Sequence, residues 1–312
     1  MEIPVEKKYT NFKFPKFTLS LVGLCVLLYL GISTLNNFGP IDEKYYALFG
    51  APYAIDIYRG QFWGVITNSF VHVLFFQLLF NILPIFFFAS FIERRLGWFS
   101  IFLLGLISST VTSCIQLAVS DDPGLGLAGV NYCLYSFIFV RSFYDNRFDF
   151  KAKYLVLLFM LVILIICQYL NWFEGWNFGI ASMLGGIVWG IVCAFPVKPI
   201  VRVVQCLILS LSVLSLIYAP WSAEWYCAKG VSYHEAGNLE LATSNYKKAL
   251  EINKEHYLAT ENLKIVEIDH LSDLAYIAHY HRKYAAARRY YLKILRLDKK
   301  NKWAKENLKN LP

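Results

Sequence analysis

Seven stretches of this chain are long and apolar enough to cross a membrane: Phe17–Leu35, Val71–Ile92, Trp98–Val119, Leu125–Phe143, Lys153–Leu170, Phe178–Pro196 and Val201–Ala219. Each approaches the ~20 residues that a helix needs to span a hydrocarbon core of roughly 30 Å. No water at that depth takes up backbone N–H and C=O groups, so a helix is the form that satisfies them within one segment. The bulk composition agrees, with 57% hydrophobic, 17% aromatic and 17% charged residues and a mean hydropathy of +0.44. The expected fold class is all-α: a polytopic membrane bundle of about seven helices over residues 17–220, then a small soluble α-helical repeat domain over 221–312. Residues 1–16 form the expected cytoplasmic N-terminal segment. The first run is too long for a secretory h-region and no small-residue cleavage site follows it, so it reads as a retained helix.

Lys and Arg sort the connections between the runs. Lys7, Lys8, Lys13 and Lys16 precede the first run, Arg94 and Arg95 follow the second, Arg141, Arg147, Lys151 and Lys153 follow the fourth, and Lys198 and Arg202 follow the sixth. The alternate connections carry Asp42, Glu43 and Asp56 against Lys44 and Arg59, then Asp121 and Asp122, then Glu174. The basic side is the expected cytoplasmic side. An odd number of crossings then places the C-terminal tail on the extracytoplasmic face.

From Trp221 onward Lys, Glu, Asn and Tyr are dense and no apolar run exceeds a few residues. Within this tail Tyr246–Lys264 can be laid on Tyr291–Lys309, a self-similarity of the kind that stacked helical units leave. The order Tyr226, Gly230, Tyr233, Gly237, Ala242, Tyr246, Ala249 resembles the tetratricopeptide pattern. The spacing of the two copies exceeds the usual ~34 residues. Lys254 stands where proline is typical and Arg282 where the turn glycine would be. Two to three helical hairpins are expected. Repeats of this type present a groove and carry no chemistry, and Tyr226, Tyr233, Tyr246, Asn262 and Asn307 are the candidate groove residues for a protein partner. An amphipathic helical appendage is the alternative, and Tyr276, Tyr280, Tyr284, Tyr290 and Tyr291 either line a groove or fill a core.

In the membrane part an ordered set recurs: Gln61, Phe62, Trp63, Thr67, Phe70 and His72; Gln77 and Asn81; Glu93, Arg94, Arg95, Leu96 and Gly97; Gly126, Leu127, Ala128 and Gly129; Leu184, Gly185 and Gly186. In order and spacing this set resembles the landmarks of rhomboid intramembrane serine proteases, over roughly Phe17 to Pro196. The resemblance implies a serine between two glycines at the start of the fourth helix. It also implies a histidine base on the sixth helix, one turn before paired glycines, and oxyanion donors from a histidine and an asparagine one turn apart on the second. A hydroxyl attacks only when a neighbouring base takes its proton, and the developing oxyanion needs donors already aimed at it.

The chain departs from that pattern at the reactive atoms. Ala128 stands at the serine position, Met183 at the histidine position and Gln77 at the second-helix histidine, whereas Asn81 is retained. Methyl and thioether groups neither attack nor titrate, and a shifted register that offers Ser182 supplies no base at neutral pH. The remaining matches, Trp63, His72, Glu93, Arg94, Gly126, Gly129, Gly185 and Gly186, belong to the scaffold that the resemblance implies, although Gly64 stands where an arginine is typical. Within it the glycines would let the fourth and sixth helices approach. His72, the sole histidine among residues 1–220, is expected as an interfacial polar residue or a loop anchor.

Other chemistries find no footing. Cys25, Cys114, Cys133, Cys167, Cys193 and Cys206 are scattered in apolar runs, where cysteine behaves as a small hydrophobe, and Cys227 is alone in the tail. His270, His279 and His281 form no recognisable ligand set, and no phosphate loop, dinucleotide fingerprint or nucleic-acid module occurs. No metal, cofactor or nucleic acid is expected. The net charge of +8 is assigned to cytoplasmic loops meeting anionic lipid and to a Lys-rich tail. Charged residues are nearly absent from the runs, which argues against a transporter. The expected protein is therefore a rhomboid-like pseudoprotease, in a bacterial inner or cell membrane, that binds membrane-protein clients through its helices and a protein partner through its repeats. Two alternatives stand beside it: an active or residual rhomboid-type intramembrane serine endopeptidase, and a repeat adaptor whose membrane part is only an anchor.

Overall fold

The computed structural model describes residues 14–39, 45–173 and 178–312. Lys7, Lys8 and Lys13, the connection residues Asp42, Glu43 and Lys44, and Glu174 lie outside the described residues. The chain divides into two compact units, Met1–Tyr218 and Ala219–Pro312.

The first unit contains α1 (Lys16–Leu35), the short α2 (Ala54–Tyr58) and α3 (Gly64–Thr67), α4 (Phe75–Leu96), α5 (Trp98–Ser120), α6 (Ala128–Arg141), α7 (Lys153–Phe173), α8 (Ile180–Ala194) and α9 (Pro199–Ile217). Among the described residues α1, α4, α5, α7 and α9 are long and apolar enough to cross a membrane. The fourth and sixth runs form shorter helices, of 14 and 15 residues. Backbone conformation sets these limits. Gly124 and Gly126 hold φ of +71° and +88°, outside the right-handed helical region, so the fourth run stays a loop until Ala128. Pro196 forces Phe195 into an extended conformation, with ψ of 148°, and ends α8.

Of these two short helices α6 occupies the middle of the bundle. Every residue of α6 from Gly129 to Ile138 is buried. Leu127, Val130, Leu134, Phe137 and Ile138 enter one core with Leu78, Ile85, Ala89 and Ile92 of α4 and Cys25 of α1. The opposite extreme is α7, of which 11% is buried in its most apolar window. Its attachments are specific: Tyr132 Oη donates to the Met160 carbonyl and Tyr135 Oη to the Lys153 carbonyl, each at 2.6 Å. Asn171 exchanges two hydrogen bonds with the Phe178 backbone, at 2.9 and 2.8 Å.

The second unit comprises α10 (Ala223–Glu235), α11 (Leu239–Ile252), α12 (Tyr257–Tyr280), α13 (Tyr284–Leu297) and α14 (Lys302–Lys309). Hairpins α10–α11 and α12–α13 are followed by the single α14. The two hairpins differ in length. Helices α10 and α12 begin at 223 and 257, but α12 has 24 residues against 13 in α10, so every later element is displaced along the chain. The tight turns match as well, with Gly237 at φ +75° and Arg282 at φ +57°. Caps are local: Ser222 Oγ, Asn238 Oδ1, His256 Nδ1 and Asn301 Oδ1 each accept from the backbone N–H three residues on.

Candidate functional site

Position 128 is the first residue of α6, immediately after the loop Gly124–Leu127. Gln77 on α4 fixes that loop. Its Oε1 accepts from Val73 N–H at 2.9 Å, and its Nε2 donates to the Leu125 carbonyl at 3.1 Å. Gly126 N–H donates to the Asn68 carbonyl at 3.0 Å, which ties the same loop to the segment before α4. Asn81 Nδ2 donates to the Gln77 carbonyl at 2.9 Å. Asn131 Nδ2 reaches the Asn81 carbonyl at 2.9 Å and its Oδ1 at 3.4 Å. The amides of Gln77 and Asn81 thus bond groups of the protein itself.

Gly126 is the point where these groups converge. A Cβ there would lie 3.1 Å from both His72 Nε2 and Asn81 Nδ2. His72 is fully buried, and it anchors its own loop through Nδ1 and the Phe70 carbonyl at 3.1 Å. Its Nε2 and both side-chain polar atoms of buried Asn68 have no protein hydrogen-bond partner.

On the opposite side Ala128 packs against a cluster of Met183, Tyr132, Tyr135, Met160 and Cys167. Ala128 and Met183 therefore share one apolar environment, built of a methyl, a thioether and rings. Neither accepts nor delivers a proton. Ser182 has its hydroxyl on the Gly179 carbonyl at 2.6 Å, and its N–H donates to buried Gln116 Oε1 at 2.9 Å. Ser108 and Ser136 likewise bond backbone carbonyls, and Ser69 and Ser109 bond each other.

The glycines divide their work. A Cβ on Gly186 would collide with the Gly129 carbonyl, and one on Gly190 with Ser136 Oγ and the Cys133 carbonyl. These two, four residues apart, let the backbones of α6 and α8 touch. Gly185 instead faces Ile115 of α5 at 2.8 Å, and a Cβ on Gly129 would meet both Thr112 Cβ of α5 at 2.7 Å and the Ser182 carbonyl of α8 at 2.9 Å. Gly190 is visible in hindsight as the second member of a small-residue pair at helical spacing, and Asn131 and Gln116 as amides inside apolar runs.

The outer scaffold departs in detail. Glu93, near the end of α4, accepts from Phe17 N–H at 3.0 Å, Thr18 N–H at 2.8 Å and Thr18 Oγ1 at 2.7 Å, so it caps α1 from a distance. Arg94 lies beside it in the last turn of α4, where positive charge complements the helix dipole. The guanidinium of Arg95 lies 3.3 Å from the centroid of Phe91 and donates to the Arg147 carbonyl. Trp63 is 55% exposed, and the anchor is Thr67, whose hydroxyl bridges the Gly50 and Trp63 carbonyls. Gly64 has no room for the arginine of the pattern, since a Cβ would already meet Pro52 at 2.5 Å and Ile57 at 2.9 Å.

Residues 59–200 match the family described as Rhomboid domain. A rhomboid-family domain therefore occupies this part of the chain. The rhomboid protease GlpG of Haemophilus influenzae is 28% identical over 181 residues, which cover 58% of this chain and 90% of that protein. Rhomboid protease GlpG of Salmonella newport and of Salmonella typhimurium is 24% identical over 171 residues, 55% of this chain and 59% of those proteins. The chain thus spans about three-fifths of the length of these Salmonella relatives. It is an integral membrane protein with a rhomboid domain and additional C-terminal helices.

Those helices correct part of the groove assignment. Tyr246 is fully buried, its ring set where a Gly230 Cβ would lie within 2.5 Å, so it is core and unavailable to a partner. Tyr291 is core as well. Asn307 bonds the Trp303 carbonyl one turn back at 2.9 Å. Tyr226, half-buried, packs on Trp225 at 4.9 Å, and Asn262 is partly buried beside Cys227. Tyr233, Tyr276 and Tyr280 are exposed. Among the described residues no group of three or more His, Cys, Asp or Glu gathers as a metal site.

Proposed function

We propose that the rhomboid domain is a pseudoprotease that binds transmembrane segments of other membrane proteins, while the C-terminal helices, read as tetratricopeptide-like repeats, recruit a protein partner. The observation that carries this reading is the apolar meeting of Ala128 and Met183, with the neighbouring Gln77 and Asn81 amides already engaged. A site so arranged has neither a nucleophile nor a base, and its donors hold the loop in place instead of awaiting an oxyanion.

A surface for a client lies next to this site. Helix α7 is largely unburied, and between it and α8 runs a groove of about 440 Å³ lined by Leu164, Ile165, Gln168, Tyr169, Trp172, Phe173, Ile180 and Leu184. Gln168 is its polar group, and an amide at membrane depth gains from a partner on an incoming helix. The reading places the N-terminus in the cytoplasm and the repeats outside it, in a bacterial inner or cell membrane, following the distribution of Lys and Arg.

Two measurements on full-length protein test it. A serine-reactive fluorophosphonate should leave the purified protein unlabelled, and serine-dependent labelling accompanied by cleavage of a transmembrane substrate would sink the pseudoprotease. A photoreactive residue at Ile165 should capture membrane proteins in cells. Capture only through the tail, with none at Ile165, would reduce the membrane unit to an anchor.

A further inference from the structure

Charge in the second unit is distributed very unevenly. Residues 282–312 hold eleven of the 30 Lys and Arg and two of the 22 Asp and Glu, so this stretch alone carries +9 while the whole chain carries +8. Residues 219–281 hold five basic and nine acidic residues, a balance of −4. A single compact unit is therefore acidic over α10–α12 and strongly basic over α13–α14.

The basic residues are arranged as a face. Helix α13 buries Ala287, Tyr291 and Ile294 against α12 and α14. At helical spacing its other side presents Arg288, Arg289, Lys293 and Arg296 around Leu292, all exposed. Lys302 and Lys305 continue the pattern on α14 beside Trp303, which is 39% exposed. Among the described residues no ion pair engages any basic residue from Arg282 onward. Two acidic residues are too few to neutralise them locally, so the face carries a positive field that attracts anions.

The chain itself limits what that anion is. α9, a candidate span, ends at Ile217 and α10 begins at Ala223, so five intervening residues tether the unit to the bilayer. Basic side chains with interspersed exposed Leu and Trp are the composition of surfaces that rest on anionic headgroups, where the field acts within about one Debye length. The acidic remainder of the unit would be repelled by the same surface, which gives the unit a preferred orientation. We infer that the α13–α14 face binds the anionic phospholipid headgroups of the membrane that anchors the chain.

Leu292 and Leu241 are equally exposed, at 43%, on the basic and acidic sides of the unit, and provide a matched pair of positions. Full-length protein carrying p-benzoylphenylalanine at one or the other is placed in nanodiscs of phosphatidylcholine alone or with about 30% phosphatidylglycerol, irradiated, and weighed. The probe at position 292 should form phospholipid adducts in the anionic discs. Their yield should fall roughly five-fold or more in neutral discs, at about 1 M salt, or in a variant with Arg288, Arg289, Lys293 and Arg296 all changed to Gln. The probe at position 241 should form few adducts in any disc. These exposed substitutions leave the core intact, and unchanged hydrogen exchange in α10–α12 verifies it. Equal yields in neutral and anionic discs, equal yields at the two positions, or no lipid adduct would each overturn the inference. So would capture of an acidic protein in place of lipid when the position 292 protein is irradiated in native membranes.

Discussion

Glycine does opposite work on α8 and on α10. On α8, Gly186 and Gly190 remove side chains so that the backbone of α6 can come into contact. On α10, Gly230 removes a side chain so that the ring of Tyr246 can enter. The difference follows from the solvent. Lipid tails are as apolar as leucine, so membrane helices gain from close backbone packing and little from burying large side chains. In water an aromatic ring removed from solvent contributes strongly, and a glycine opposite it serves as the socket. Helix starts contrast in the same way. Four helices of the second unit carry local side-chain caps, whereas α1 is capped by Glu93, some 75 residues away.

If this contrast is correct, Tyr246→Ala has the largest effect, about 3–5 kcal/mol. Hydrogen exchange on full-length protein should report it as lost protection in α10–α12, with the membrane helices unchanged. Gly186→Ala should cost about 2–3 kcal/mol, because the neighbour is a carbonyl that cannot rotate away; detergent-driven unfolding of the membrane unit measures it. A neutral result there would mean the α6–α8 seam is not close-packed, and the contrast would collapse. Glu93→Ala should cost about 1–2 kcal/mol and expose the amides of Phe17 and Thr18 to exchange, since it strips both of their acceptor.

Smaller effects sharpen the comparison. Arg282→Gly should stabilise the second unit by up to about 1 kcal/mol, because a non-glycine residue at φ +57° carries a left-handed cost that the equivalent Gly237 avoids. Asp145, in the connection between α6 and α7, has its carboxyl held down at about 2 by hydrogen bonds from Arg147. A depressed carboxyl contributes fully above its unfolded value of 3.8 and loses that contribution as pH falls toward about 2. The stability difference between the native protein and Asp145→Asn should therefore be flat from pH 7 to 5 and shrink below 4. A difference that changed near neutrality would point to another titrating group.

Much of the site was legible because it follows from residue identity in a fixed order. Ala128, Met183 and Gln77 stand out against the ordered set of residues, and Ala128 packs against the cluster that contains Met183. What each amide does was not legible. Gln77 turned out to staple the loop at Leu125, and Asn81 to bond Gln77 and Asn131, because those partners are chosen by three-dimensional neighbours up to 50 residues away. Tyr246 was misassigned for a related reason. An aromatic in a repeat pattern has the same sequence signature in a groove or in a core, and only the position of Gly230 separates them.

The sequence by itself determined where the chain is apolar and where it turns polar, since hydropathy is a property of the residues themselves. Tertiary structure alone decided that the fourth and sixth runs become short helices, and that Gly185 and Gly186, adjacent in sequence, face α5 and α6 respectively. It also decided that a carboxylate on α4 caps α1. The reason is physical: successive helical residues point about 100° apart, and a buried hydrogen bond is satisfied by whichever group packing brings within 3 Å, irrespective of its distance along the chain.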